Sequence, residues 1–212
     1  MMGLLTGMII SRGRVQAFIA TLVTMTIVRG ATLVFTQGKP INAGVGKASE
    51  AFAWLGGGYI LGIPVPVYLM ILVYGISWYT LHQTRFGRYT YALGGNEEAA
   101  RMSGLATKKL KTMVYGISGF LASLSGIIMT SRLSSAQPTA GTGYELDAIA
   151  AVVLGGTSLT GGSGRILGTI VGALIIGILN NALNIMNVSS YFQMIAKGAV
   201  ILIAVLLDRK NK

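Results

Sequence analysis

Residues 166–186 read ILGTIVGALIIGILNNALNIM, an apolar run without one Asp, Glu, Lys or Arg. A helix rises 1.5 Å per residue, so about 20 residues cross a hydrocarbon core about 30 Å thick. This run alone therefore has the length of a membrane span. Comparable runs recur at residues 17–35 (AFIATLVTMTIVRGATLVF), 65–81 (VPVYLMILVYGISWYTL), 113–129 and 191–207. The second of these opens beside Pro64 and Pro66, where a helix tolerates proline, and it carries Trp78 and Tyr79, residues suited to a membrane interface. The pattern predicts an all-α, polytopic membrane helix bundle.

Composition agrees. Of 212 residues, 52% are hydrophobic and only 11% charged, with a mean hydropathy of +0.66, whereas a soluble globular chain carries about 25% charged residues. The net charge of +11 raises nucleic acid as a partner, but the basic residues lie beside and between apolar runs instead of forming an aromatic-interleaved patch. They read as topology determinants. Cysteine is absent and histidine occurs once, which removes disulfides and thiolate chemistry and argues against a zinc or copper site. No catalytic triad, paired intramembrane carboxylates or cofactor motif stands out. The start, MMGLLTGMII followed by Ser11, Arg12, Gly13 and Arg14, is apolar first and basic second. That order is the reverse of a signal peptide and reads as the stump of an earlier span.

Loop charge orients the spans, because Lys and Arg collect in cytoplasmic loops. Residues 83–112 hold Arg85, Arg88, Arg101, Lys108, Lys109 and Lys111, and the tail holds Arg209, Lys210 and Lys212. Both belong inside. A first span starting inside after Arg12 and Arg14 then ends outside, the second returns to the basic loop, and the third exits. The last two spans form a pair joined by an outside turn at residues 187–190, so the chain has to re-enter between Arg132 and Arg165. Only the short segment 144–156 (YELDAIAAVVLGG) is available, and its apolar part suits a half-helix. Parity thus gives about six crossings, one of them short or broken, with the carboxyl terminus cytoplasmic.

Within the basic loop, Glu98, Ala99 and Ala100 followed after three residues by Gly104 predict a short amphipathic helix ended by glycine. It reads either as a solvated connection or as a helix parallel to the membrane that docks into a cytoplasmic partner. The glycine-rich stretch 155–164 (GGTSLTGGSG) resembles a phosphate loop only superficially: Gly162 stands where lysine is required. A turn closing the short helix is the better reading. Ser118, Ala122 and Gly126, and Gly168 with Gly172 continued by Ala173 and Gly177, are small-residue stripes of the kind that pack membrane helices or a dimer seam. Asn180 and Asn184 lie one turn apart with Asn181 beside them, and either line a wet path for a hydroxyl-rich solute or bond to another helix. Arg29 and Lys197 are near enough to span ends to snorkel. Glu145 and Asp147 sit where carboxylates favour a helix start, and His82 reads as interfacial.

Residues 17–22 (AFIATL), 92–104 (ALGGNEEAARMSG), 147–162 (DAIAAVVLGGTSLTGG) and the tail from 189 to 212 together resemble the monosaccharide permeases of bacterial ABC importers, the ribose, xylose and galactose family. The Glu-Ala-Ala-x-x-x-Gly core is that of their coupling motif, while the longer ending of some permeases is lacking, with Val114, Gly116 and Ile117 in its place. Members carry further spans at the amino end, so residues 1–212 correspond to the carboxyl two-thirds of one permease domain, with 83–112 as the coupling loop. The resemblance implies a multi-pass subunit in the bacterial inner membrane that carries a pentose, D-ribose above all, without being an enzyme and without a cofactor. It implies a cytoplasmic ABC ATPase docked on Gly95, Asn96, Glu97, Glu98, Ala99, Ala100, Ser103 and Gly104. It also implies a periplasmic or lipid-anchored sugar-binding protein, a second permease copy and membrane lipid as partners, and no nucleic acid.

Two other classes remain open to the sequence. A self-contained channel or secondary transporter predicts intramembrane charge partners or an inverted repeat, and neither is visible in the sequence. An inactive permease fragment is the other. Finding an upstream reading frame that encodes the earlier spans would favour the fragment; neighbouring ATPase and binding-protein genes would favour the importer.

Overall fold

The computed structural model describes residues 1–13, 15–42, 44 and 46–210. Arg14 and Lys212, used in orienting the spans, lie outside the described residues. The elements run α1 (Met2–Gly13), α2 (Ala17–Thr36), β1 (Ile41–Asn42), α3 (Lys47–Gly57), β2 (Tyr59–Ile60), β3 (Ile63–Pro64), α4 (Val65–Gln83), α5 (Arg85–Gly95), α6 (Glu97–Met102), α7 (Thr107–Leu133), β4 (Ser135–Ala136), α8 (Tyr144–Leu154), α9 (Ile166–Ile185) and α10 (Ser190–Lys210). The architecture is all-α, as expected. The strands are two-residue pairings, β1 with β4 and β2 with β3, both antiparallel.

Among the described residues, α2, α4, α7 and α9 are long and apolar enough to cross a membrane. They coincide with four of the five expected runs, and α10, with 21 residues, occupies the fifth. α7 is longer than its apolar run. Its 27 residues extend about 40 Å, because Lys108, Lys109 and Lys111 continue the helix past the hydrocarbon with good helix formers. α8 has 11 residues, about 16 Å, which is half a bilayer, as the half-helix reading requires.

The chain divides into two compact units, one of Met1–Ile76 with Arg101–Ala140, the other of Ser77–Ala100 with the chain from Gly141 on. In the first, α1 lies along α7. Gly3 and Gly7, a GxxxG pair, meet backbone: a Cβ on Gly3 would stand 2.5 Å from the Tyr115 carbonyl oxygen, and one on Gly7 2.9 Å from the Cα of Thr112. Hydroxyl bonds add to this, Ser11 with Thr112 at 3.1 Å and Thr6 donating to Thr24 of α2 at 3.1 Å. α3 packs on the far end of α7, where the Ser131 hydroxyl donates to the Phe52 carbonyl. β2 and β3 form a hairpin whose turn residues Leu61 and Gly62 both have positive φ, as primed turns require. The Tyr68 hydroxyl bonds back to Ile60 at 3.0 Å.

The second unit is built on α8 and α9. Ala150, Ala151 and Ile176 form its buried core, with Ala173 and Val200 against it. The stripe of Gly168 and Gly172 is what permits this approach. A Cβ at Gly168 would collide with the Gly155 carbonyl, and one at Gly172 with the Ala151 carbonyl. This stripe joins two helices of the same chain. The other expected stripe behaves differently: Ser118, Ala122 and Gly126 are exposed, and α7 uses its Thr112 to Gly119 face instead, because that is the face α1 meets.

A direct check follows from the Cβ geometry. Gly172→Val should destabilise the purified protein in detergent by upward of about 3 kcal/mol, the upper range of overpacking costs. Gly177→Val, where a Cβ meets nothing within 4 Å, should melt as wild type. Equal melting temperatures for the two would refute the packing.

Candidate functional site

Two features of this fold carry chemistry: the corner of α5 and α6, and a polar cleft among α8, α9 and α10. Thr84 begins α5, its hydroxyl accepting from the Gly87 N–H at 3.4 Å. α5 is amphipathic, with Phe86, Gly87, Thr90, Tyr91 and Leu93 turned inward and Arg85, Arg88 and Tyr89 outward. Asn96 then breaks the helix and caps the next. Its side-chain oxygen accepts from the backbone N–H groups of Glu98 and Ala99, both at 3.0 Å, so satisfying two orphan donors of α6. Gly104 follows α6 at φ 84, a left-handed conformation that only glycine adopts without strain. The short helix expected from Glu98 to Gly104 is therefore present, with Asn96 as its cap. Glu97, Glu98, Ala99, Arg101, Met102 and Ser103 face outward, while Ala100 is buried. α5 itself was not foreseen; its periodicity is hidden by three glycines and two arginines.

The glycine-rich loop 155–164 is a folded element. It is closed internally by Ser158 N–H to Ser163 carbonyl at 3.1 Å and Gly161 N–H to Ser158 carbonyl at 3.2 Å. Its tip rests on the end of α5: a Cβ on Gly94 would stand 2.6 Å from the Gly162 nitrogen. The Tyr91 hydroxyl donates to the Gly164 carbonyl at 2.9 Å. The loop follows a helix and is the expected turn after α8, held more firmly than a free connection.

The cleft is lined by Tyr144, Asp147, Asn180, Asn184, Gln193 and Lys197 and has a volume of about 420 Å³. Asp147 stands in the first turn of α8, next to Glu145, whose carboxylate accepts from the Gly143 N–H at 3.1 Å. The Asp147 Oδ2 accepts from Lys197 Nζ at 2.9 Å and from Asn180 Nδ2 at 3.2 Å. Gln193 Nε2 donates to Asn184 Oδ1 at 3.0 Å and to the Val188 carbonyl at 2.9 Å.

The structure thus brings Asn180 and Asn184 together in one polar cleft. Two expectations need correction. Lys197 does not snorkel: it turns inward to Asp147, because a carboxylate within reach outweighs a distant interface. Charge partners, not visible in the sequence, exist in this pair. The signal was available, since Gln193 and Lys197 repeat the four-residue spacing of Asn180 and Asn184 on the helix that follows a short turn. Glu145 caps as expected, and His82 is exposed near the end of α4, stacked on Trp78 at 5.6 Å. Among the described residues no group of His, Cys, Asp or Glu forms a metal site.

Among the described residues, four span-length helices with a short capped helix and a polar cleft are the marks of a polytopic membrane protein. The family of branched-chain amino acid transport system permease components matches residues 1–205, and the chain belongs to it. It is a multi-pass inner-membrane protein. It is 60% identical over 208 residues to the ribose import permease protein of Haemophilus influenzae, covering 98% of this chain and 64% of that one. To the ribose import permease protein of Escherichia coli K12 it is 61% identical over 210 residues, covering 99% and 65%. To the L-arabinose transport system permease protein of the same strain it is 41% identical over 203 residues, covering 96% and 61%. The chain therefore spans just under two thirds of the length of these relatives. No solved structure matches it.

The ion pair can be isolated by a double-mutant cycle. Lys197→Met leaves the Asp147 carboxylate without its cation and should cost about 2 kcal/mol, less than a fully buried pair because the two side chains keep 27% and 17% exposure. Adding Asp147→Asn should restore most of that loss in thermal unfolding of the purified protein. Additive losses would mean that the two groups do not interact.

Proposed function

We propose that this chain is the transmembrane permease subunit of an ATP-driven importer for a monosaccharide, D-ribose before the other sugars of the family. The observation that carries the substrate is the high identity to ribose permeases along nearly the whole chain, well above the identity to the arabinose permease. The chain crosses the membrane six times, α8 making the short return, with the loop at residues 83–112 and the carboxyl terminus on the cytoplasmic side. α6 is the docking helix for a cytoplasmic ABC ATPase, through Gly95, Asn96, Glu97, Glu98, Ala99, Ala100, Ser103 and Gly104. In support, α6 is a rigidly capped helix at a basic loop, and it presents two carboxylates and Met102, which is 83% exposed.

A sugar-binding protein delivers the solute on the outer side, and a second permease copy completes the pathway past Asn180 and Asn184. The subunit performs no chemistry on the sugar: ATP bound elsewhere shifts the pathway between outward and inward access. The Asp147–Lys197 pair gives a self-contained, ion-coupled transporter its one favourable observation. Against it, each charge already neutralises the other.

Uptake of labelled D-ribose into proteoliposomes, with the chain reconstituted beside its ATPase and sugar-binding protein, tests this reading. Glu98→Ala and Gly104→Val should insert normally, keep ATP hydrolysis and lose at least tenfold in uptake. Wild-type uptake in both would sink the docking assignment, and uptake without ATPase or ATP would move the chain to the secondary transporters. Topology has its own test, because the chain contains no cysteine. Arg88→Cys should react with an impermeant maleimide only from the cytoplasmic side, and Ser189→Cys only from outside.

A further inference from the structure

The first unit carries a groove to which none of the residues proposed for ATPase docking or for the solute path belongs. It lies between α1 and α7 and has a volume of about 290 Å³. The two helices run antiparallel, Gly3 against Tyr115 and Gly7 against Thr112, so the groove has two unlike ends. At one end stand Arg12, in the last turn of α1, and Lys108 and Lys109, in the first turn of α7. All three are exposed. Towards the other end the groove is lined by Leu4, Met8 and Met113, which keep 43%, 40% and 54% exposure. The hydroxyl bond of Ser11 with Thr112, at 3.1 Å, lies between the two.

The charged end lacks a counter-charge. Among the described residues none of the three cations forms an ion pair. The sequence of this unit holds a single carboxylate side chain, Glu50. It belongs to α3, which packs at the opposite end of α7, where Phe52 meets Ser131. α7 also starts at the groove without a side-chain cap, so the positive end of its dipole adds to the cations.

We propose that this groove is a binding site for an anionic phospholipid, its phosphate held by Arg12, Lys108 and Lys109 and an acyl chain laid along Leu4, Met8 and Met113. One ligand has to satisfy both ends. A free phosphate uses the cations and leaves the apolar wall bare, whereas a lipid without net charge covers the wall and leaves the cations unpaired. The dimensions suit a bilayer. Leu4 and Arg12 are eight residues apart, about 12 Å along α1, which reaches from a headgroup layer into hydrocarbon. α7 changes character at the same level, from lysines to an apolar run that opens with Met113. The two methionines are unbranched and adapt to a mobile chain. Basic pockets between membrane helices are recurrent sites for anionic headgroups. The topology proposed above assigns the lipid to the inner leaflet; the site itself does not depend on it, and labelling of Arg88→Cys tests that assignment separately.

Native mass spectrometry of the purified chain in detergent, titrated with phosphatidylglycerol or with phosphatidylcholine of the same acyl chains, tests the site. Wild type should bind phosphatidylglycerol at least tenfold more tightly, and Arg12→Gln with Lys108→Gln and Lys109→Gln should abolish that preference. Lys39→Gln with Lys47→Gln, which removes two cations near the other end of α7, should keep it. Equal binding of the two lipids by the wild type, an unchanged preference in the triple variant, or loss of the preference in the control pair would overturn the proposal. So would its removal by millimolar inorganic phosphate, which would leave a site for a free anion. A second readout needs no change of charge. Met8→Cys carrying a benzophenone, in membranes containing phosphatidylglycerol, should crosslink to lipid. A crosslink to protein would give the groove to a second copy or another chain and overturn the lipid assignment.

Discussion

The structure depends on how closely two backbones can approach inside lipid. Apolar side chains gain nothing there by leaving water, so helices hold together through van der Waals contact and the occasional polar bond. The α8–α9 pair illustrates this. Gly155, Gly168 and Gly172 carry no side chain, and the carbonyls of Ala151 and Gly155 occupy the space where one would stand. An eleven-residue helix that cannot cross a bilayer alone is in this way fixed to one that can. Everything distinctive about the second unit follows: the glycine loop is led to the end of α5, and Asp147 is brought within reach of α9 and α10.

The same device appears in the first unit, where Gly3 and Gly7 let α1 lie along α7. Hydroxyls finish what the glycines begin. Thr6, Ser11, Thr24 and Thr112 bond across these helices, each an inexpensive polar contact in an apolar setting. α3 and the short β pairings complete the connection between α2 and α4 without contributing a span.

Most of the helical architecture was legible in the sequence, because a span announces itself by length and apolarity. The short helix α8 was marked by an apolar segment too brief to span, and α6 by its Glu-Ala-Ala-x-x-x-Gly pattern. What escaped has physical causes. α3 and α5 are short, α3 ending in two glycines and α5 interrupted by one, so neither length nor period marks them. The Gly3 and Gly7 pair sits in a segment too brief to read as a packing helix. Of the cleft, Asn180 and Asn184 were visible as polar residues in an apolar run. Asp147 and Lys197 were each explained locally, one by a helix dipole and the other by an interface. Their partnership is a long-range fact, created when α10 folds back beside α8, and only the matching spacing of Gln193 and Lys197 hinted at it.

The contact between Gly94 and the glycine loop has a mechanical meaning. Flexible side chains usually form a soft layer between packed elements and absorb small displacements. Here Gly94, Gly161 and Gly162 place main chain against main chain, and the next residue but one after Gly94 is the Asn96 cap of α6. Behind the loop stands α8, a rod whose far end holds Asp147. The seam is therefore a joint without a cushion, main chain bearing on main chain with no side chain between to yield.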